Sequence, residues 1–189
     1  MTFAEKLAAA KAARPFKDQP VVLDGVVAAE RERLEAELAS VDHGDQRMGV
    51  ASEADKIQEQ LDALADDDST EIIRIFRMPG RDWANLTSKC PVRVDVPIDR
   101  HYGYNYDAAC EAALRYRDPK TGATYAFRLE DGNPVEFTDD EWQELLSVLS
   151  GNEYAKLRDR VWELNEYEPE QRLNALVKGS GAASRSVNK

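Results

Sequence analysis

Helical periodicity is strongest in two stretches, Glu30-Arg31-Glu32-Arg33-Leu34-Glu35-Ala36-Glu37-Leu38 and Ile57-Gln58-Glu59-Gln60-Leu61-Asp62-Ala63-Leu64. In each stretch the large aliphatic residues recur every three or four positions, which is the spacing of one face of an α-helix. The pattern predicts one helix over 26–41 and a second from about Ser52, joined by a short loop. Two such amphipathic helices favour an antiparallel helical hairpin.

The apolar seam of this hairpin is the candidate partner-binding surface. Its members are Leu34, Leu38, Ile57, Leu61 and Leu64. The seam is narrow, so we expect it to need a partner surface as well as its own opposite helix. The alternative is that the seam is used up entirely within the hairpin.

Acidic residues are concentrated in the same region. The chain of 189 residues carries 36 acidic and 25 basic residues, a formal net charge of -11. Residues 21–68 have a net charge of -10, whereas 1–20 carry +2 and 170–189 carry +3. This distribution disfavours nucleic acid as a partner, because phosphate contacts require clustered Lys and Arg. No apolar run approaches the roughly 20 residues that span a bilayer, so we expect a soluble protein with no membrane partner.

The rest of the chain predicts a small α+β unit. Strands are expected over 71–78, 123–129 and 135–137, the last two joined by the turn Asp131-Gly132-Asn133-Pro134. Short helices are expected over 2–13, 81–88 and 108–116, the last capped by Asp107. Thr138-Asp139-Asp140-Glu141 is a capping box before a further helix that Gly151 ends, and a last helix is expected over 152–166.

The expected fold class is therefore α+β and predominantly α, with a small antiparallel sheet and packed C-terminal helices. We divide the chain into four parts: a flexible or short-helix extension over 1–20, the acidic hairpin over 21–68, a small α+β domain over 69–169 and a disordered polar tail over 170–189.

Residues with catalytic or ligating chemistry are few and scattered. His43 and His101 lie far apart in sequence, and Cys90 and Cys110 do not form a Cys-x-x-Cys pair, so we predict no metal site and no cofactor. Cys90 has no evident base in sequence and is expected to be a packing residue in a reducing cytosol.

Two further clusters have a structural explanation that we prefer. The carboxylates Asp139, Asp140 and Glu141 fit a helix N-terminus without any catalytic role. Tyr102, Tyr104 and Tyr106 alternate and could share a face that stacks bases, but they lack interleaved Lys, so core lining or a protein contact is preferred. The sequence thus predicts a protein that is not an enzyme.

The order of several motifs resembles that of a known family. After the two acidic helical stretches come a strand and then Pro79-Gly80-Arg81-Asp82-Trp83-Ala84-Asn85-Leu86, Cys90-Pro91-Val92-Arg93, Gly103-Tyr104-Asn105, Thr138-Asp139-Asp140-Glu141-Trp142, Leu146-Ser147-Val148-Leu149-Ser150-Gly151 and Trp162-Glu163-Leu164-Asn165. Over about residues 26–170 this resembles the tail assembly chaperones of long-tailed, siphovirus-type phages that infect actinobacteria. That family often has a His-Pro-Pro-Arg-like stretch where this chain has Cys90-Pro91-Val92-Arg93.

The resemblance implies a non-catalytic function in virion assembly. Such proteins bind the tape measure protein, keep its long helices in solution and help to recruit tail tube subunits. The resemblance places the protein in the host cytoplasm, outside the mature virion, and implies a longer product made by programmed frameshift. Self-association is a further expectation.

Three other functions remain open from sequence. The chain could be a structural subunit of the virion tail or head-tail region, and it would then be present in purified particles. An acidic regulator that binds a basic partner would need carboxylates regularly spaced on one face, which residues 21–68 offer only in part. An enzyme with an unrecognised site would show saturable turnover.

Overall fold

The computed structural model describes residues 1–41, 53–65, 69–171 and 174. Its helices and strands, in chain order, are α1 Phe3–Ala12, β1 Phe16–Val22, α2 Gly25–Ser40, α3 Glu53–Ala65, β2 Thr70–Phe76, α4 Gly80–Thr87, α5 Pro97–Tyr102, α6 Tyr106–Leu114, β3 Ala126–Glu130, β4 Asn133–Glu136, α7 Asp139–Val148 and α8 Gly151–Trp162. A π-helical segment, Glu163–Tyr167, follows α8 directly. The expected α+β class with a helical majority is confirmed.

The strands form one four-stranded antiparallel sheet in the order β1-β2-β3-β4. In the hairpin of β3 and β4, Glu130 pairs with Asn133 across the two turn residues. Asp131 and Gly132 both have positive φ, 49° and 78°. Two successive positive φ values are typical of the type I′ turn, whose twist matches that of the strands it joins. The predicted turn is therefore confirmed at Asp131 and Gly132, whereas Asn133 and Pro134 already belong to β4.

The sequence does not predict strand β1, since the expected boundary at residue 20 divides its residues between the N-terminal extension and the hairpin. Pro20 argues against a strand in sequence, since proline cannot donate to a sheet ladder. β1 is an edge strand, where a missing donor is tolerated. Its two ends are held to β2 by backbone hydrogen bonds, from Leu23 N to Ser69 O and from Arg77 N to Pro15 O, both 2.9 Å or shorter.

The chain divides into two compact units. The first consists of 1–17, 74–126 and 157–189, and the second of 18–73 and 127–156; the boundaries fall within β1, β2, β3 and α8. The predicted division at residues 20, 68 and 169 stays a prediction. Most of the tail, 170–189, lies outside the described residues.

The core of the first unit comes from the apolar faces of its helices. α6 packs against both α4 and α5. Trp83 and Leu86 of α4 are buried, and so are Leu157 and Val161 of α8 and Leu164 of the π-helical segment. α6 contributes a buried side that includes Ala109, Cys110, Ala113 and Leu114.

The core of the second unit is built by strand residues and by α2, α3 and α7. α2 packs against α3, so the predicted pairing of the two helices is confirmed. In α7, Trp142 and Leu145 are buried, and the Trp142 ring stacks on Phe137 with a centroid separation of 4.1 Å. None of the helices in the described part of the chain has the length and apolarity that crossing a bilayer requires.

A short helix that the sequence does not predict, α5, begins at Pro97 and ends where Gly103 takes φ 79°. Two local predictions were wrong. α6 is capped by Asn105, whose side chain accepts from Ala108 N, and Asp107 lies inside its first turn. Gly151 begins α8, whereas α7 ends earlier, at Val148.

The capping box of α7 gives a direct test of the fold. Thr138 Oγ1 accepts from Glu141 N at 3.2 Å, and Glu141 Oε2 accepts from Thr138 N at 2.7 Å. We expect Thr138→Ala to lower the free energy of unfolding by about 1 kcal/mol, because the Glu141 N–H loses its acceptor. Urea denaturation followed by circular dichroism measures this. Thr138→Ser keeps the hydroxyl, and an equal loss in both variants would contradict the assignment.

Candidate functional site

The first helix of the hairpin is fixed locally by its cap and by ion pairs. Asp24 Oδ1 accepts from Val26 N at 2.7 Å and from Val27 N at 3.1 Å, so α2 begins directly after it. On the outer face Arg33 pairs with Glu30 and with Glu37, three and four residues away. Exposed pairs of this kind stabilise little, so the outer face of α2 is a solvated, acidic surface.

The inner face of α2 is tied to α8 by polar contacts. Lys156 Nζ lies 2.7 Å from Glu35 Oε1, and Ser150 Oγ donates to Glu32 Oε1 at 3.0 Å. Glu35 also accepts from Arg31, one turn earlier on α2. The acidic residues of α2 therefore divide into an outer set that faces water and an inner set that orients the helix.

A fully buried carboxylate completes this attachment. Glu153 of α8 is 0% exposed, and its two oxygens accept from Val22 N at 3.3 Å and from Lys156 Nζ at 2.9 Å. A buried carboxylate must be paired, because an unpaired charge in the protein interior is strongly destabilising. Glu153 thereby joins the end of β1 and, through Lys156, the base of the hairpin.

The structure divides the predicted seam into two sets. Leu34 and Ile57 are buried, at 2% and 4% exposure, and close the hairpin. Leu38, Leu61 and Leu64 are only half-buried. The first set is thus buried where α2 packs against α3, and the second set remains partly accessible to another protein.

An open groove of about 570 Å³ lies between the two helices. Six residues line it: Glu35, Leu38, Ala39, Ala54, Asp55 and Gln58. Of the five predicted binding residues, the groove contains Leu38, whereas Leu61 and Leu64 lie farther along α3. The small side chains of Ala39 and Ala54 allow another chain to approach closely, and the carboxylates give the groove an acidic edge.

The first unit brings two of the family-like motifs into contact. Asn105 N donates to Cys90 O at 2.9 Å, which joins Gly103-Tyr104-Asn105 to Cys90-Pro91-Val92-Arg93. Arg93 then forms a forked pair with Asp99, through Nε at 2.7 Å and a terminal nitrogen at 2.9 Å. The same guanidinium also contacts Asp107 at 2.8 Å.

Asp99 is the centre of this cluster. It is 0% exposed and also accepts from the backbone N–H groups of Arg93 and Tyr106, both at 3.1 Å. The Arg93 guanidinium, followed by these backbone donors, holds the pKa of the Asp99 carboxyl well below its ordinary value. This arrangement fixes the loop between α4 and α6 and has the character of a structural clamp.

The π-helical segment is a second polar cluster of the same unit. Leu164 O accepts from Arg77 Nε at 2.6 Å, and Asn165 Oδ1 accepts from Met78 N at 3.0 Å. Glu166 accepts from Trp83 Nε1 at 2.7 Å and from the Tyr104 hydroxyl at 3.0 Å. The sequence does not reveal these contacts, although Trp83 and Trp162-Glu163-Leu164-Asn165 both belong to the motifs quoted above.

The residues that could act in catalysis are explained mainly by packing or by helix capping. Cys90 and Cys110 are buried, and burial raises the pKa of both thiols. Hydrogen bonds from Thr138 lower the pKa of Glu141, as expected for its place in the capping box. His101 is exposed, and His43 lies outside the described residues. Within the described ranges no group of three His, Cys, Asp or Glu residues is arranged to hold a metal ion.

The three tyrosines do not form a common exposed face. Tyr104 and Tyr106 are buried, and Tyr102 is half-buried. The Tyr106 hydroxyl donates to Asp159 Oδ1 at 2.9 Å, as the Tyr104 hydroxyl does to Glu166. Core lining, one of the two preferred interpretations, is confirmed for Tyr104 and Tyr106.

The acidic clamp predicts a specific pH dependence. The Asp99 pKa is lower in the folded than in the unfolded chain, so its contribution to stability is present above about pH 4 and is lost as the pH falls further. We expect Asp99→Asn to lower the urea midpoint at pH 7. Below about pH 4 the midpoint of this variant should fall less steeply with pH than that of the wild type. Asp95→Asn, an exposed residue of the same loop, is the control. An unchanged acid slope in Asp99→Asn would contradict the assignment.

No protein-family model, no curated protein and no solved structure matches this chain.

Proposed function

We propose that this chain is a non-catalytic assembly chaperone that binds a long helical client protein through the hairpin of α2 and α3. The observation that carries the proposal is the open groove between the two helices. It combines the accessible side chain of Leu38 with two alanines and an acidic edge. Such a surface suits an amphipathic helix, which lays its apolar stripe into a groove.

The charge of the hairpin defines the client further. The described parts of α2 and α3 contain eight carboxylates and three basic side chains. A client helix with Lys and Arg on both sides of its apolar stripe would complement this surface, and like-charged segments would be repelled. The client's basic residues would also be steered to the hairpin before contact.

The size of the groove indicates weak binding at each site. Burial of one large aliphatic side chain contributes about 1.5–3 kcal/mol, which falls short of the cost of association for a single contact. A long client with repeated helical segments would hold many copies at once, and a reversible contact repeated along it would keep its apolar surface covered. Reversible binding of this kind is what a chaperone that later leaves the assembly requires.

The resemblance supplies the identity of the client. On that basis we propose that the client is the tape measure protein, that tail tube subunits are recruited to the same complex, and that both steps take place in the host cytoplasm. The chaperone would be released before the virion is complete.

The groove can be tested with a charge inserted at its apolar centre. We expect Leu38→Glu to abolish co-purification with the tape measure protein of the same phage and to return that client to the insoluble fraction on co-expression. Val26→Glu adds the same charge to the same helix at a side chain that is 80% exposed, and it should bind as the wild type does. Circular dichroism of each variant establishes that the hairpin is folded.

Two outcomes would overturn this proposal. Wild-type binding by Leu38→Glu would exclude the groove as the client site. Failure of the wild-type protein to bind the client, together with its presence at constant stoichiometry in purified particles, would favour a structural subunit of the tail or head-tail region.

The gene itself provides an independent prediction. Lys178-Gly179 can be encoded AAG GGN, and a Val177 codon that ends in A would complete the slippery heptamer A AAG GGN. We expect such a run in or near the codons of this tail, with an open -1 frame that continues past Lys189. Mass spectrometry of the expressed locus would then detect a longer product. A closed -1 frame without a slippery run would remove this support.

A further inference from the structure

Helix α1 presents an apolar face that none of the described residues covers. All side chains of residues 1–10 are exposed, and Phe3 and Leu7 are 77% and 47% exposed. The two residues are four positions apart and therefore lie on the same side of the helix, about 6 Å apart along its axis. Lys6 lies beside them and makes no ion pair with any described residue.

The helix is nevertheless well defined at its start. Thr2 Oγ1 accepts from Glu5 N at 3.2 Å, and Glu5 Oε2 accepts from Thr2 N at 2.6 Å, which completes a capping box. A helix of ten residues is marginal by itself in water, because most helical stability in proteins comes from packing of an apolar face. A capped helix with its two largest side chains exposed therefore lacks a packing partner within the part of the chain that the structure describes.

The second unit contains a pocket with matching properties. It has a volume of about 310 Å³ and an apolar lining formed by Leu23, Ile73, Phe137, Leu145 and Val148. The buried Ile73 and Leu145 form its floor, and Leu23 and Val148 are 37% and 57% exposed at its rim. This volume lies at the lower end of the range for ligand pockets and suits a pair of side chains.

The polar rim of the pocket is predominantly negative. Glu71, Glu141 and Glu144 line it together with Arg128. Arg128 pairs with Glu141 at 3.3 Å and with Glu130 at 3.0 Å, so its charge is already compensated. Glu71 and Glu144 form no ion pair with the residues that the structure describes. The rim thus offers two uncompensated carboxylates around an apolar floor.

We propose that α1 of a second copy of this chain docks in this pocket. Phe3 and Leu7 fill the apolar cavity, and Lys6 faces Glu71 and Glu144. Reciprocal exchange between two copies gives a closed dimer with two identical contacts and four apolar anchors. This interface is separate from the groove of the hairpin, so the self-association does not depend on the proposed client binding.

Charge complementarity makes a second copy the preferred occupant. The pocket requires a short apolar pair next to a cation, and α1 supplies that combination on one helical face. A partner whose anchors are flanked by carboxylates would be repelled by the rim. Binding would also stabilise α1, whose apolar face would then be buried, so order and association are coupled.

The dimer can be tested by sedimentation equilibrium of the full chain over a wide range of concentration. We expect the wild type to dimerise and Phe3→Ala/Leu7→Ala to weaken the association about tenfold or more, because both anchors are truncated. Lys6→Glu and Glu144→Lys should each weaken it severalfold through like-charge repulsion. The combined Lys6→Glu/Glu144→Lys variant should recover the association, since the two charges are exchanged.

Controls keep the test decisive. Lys89→Glu reverses an exposed charge outside both surfaces and should leave the dimer unchanged. Circular dichroism establishes that each variant is folded. A wild-type chain that remains monomeric throughout, a dimer that the α1 variants leave intact, or a failure of the charge exchange to restore association would each overturn the proposal.

Discussion

The buried carboxylate of Glu153 is the constraint on which the second unit depends. A glutamate with 0% exposure is tolerated only where donors are already in place, and here they come from β1 and from the neighbouring turn of α8. Lys156, which is one of those donors, also contacts Glu35 of α2. One buried charge therefore determines where the edge strand ends and how α2 is oriented. The orientation of α2 in turn determines the shape of the groove between α2 and α3.

The first unit uses the same principle. Asp99 has four donors around two oxygens, and they come from Arg93 and from the first residue of α6. The loop of Pro91 to Val96 has little regular structure of its own, so this carboxylate substitutes for a backbone ladder. Both units thus use a buried acid to hold separate segments of backbone together, even though the chain as a whole has an excess of acidic residues.

Much of the architecture was predictable because its signals are local. The Thr138 capping box, the aliphatic period of α2 and α3 and the Asp131-Gly132 turn each act within a few residues. The features that the sequence did not predict depend on contacts between residues far apart in the chain. Strand β1 contains a proline and is recognisable only from its pairing with β2, which lies far along the chain. Glu153 has the pattern of a solvent-facing helical residue, and its burial depends on Val22. The seam was found from sequence, but its division into buried and accessible leucines depends on how closely the two helices approach.

The π-helical segment after α8 has a consequence for how this protein can vary. A π-helix accommodates one residue more than an α-helix does over the same length, so it behaves as a single-residue insertion that the helix has absorbed. Removal of one residue between Glu163 and Tyr167 would therefore restore α-geometry and leave the angular position of all that follows nearly unchanged. Glu168, which contacts Lys17 and Arg77, would keep its direction toward both. Loss of one residue is therefore tolerated better in this segment than within α8, where it would turn everything that follows by about 100°.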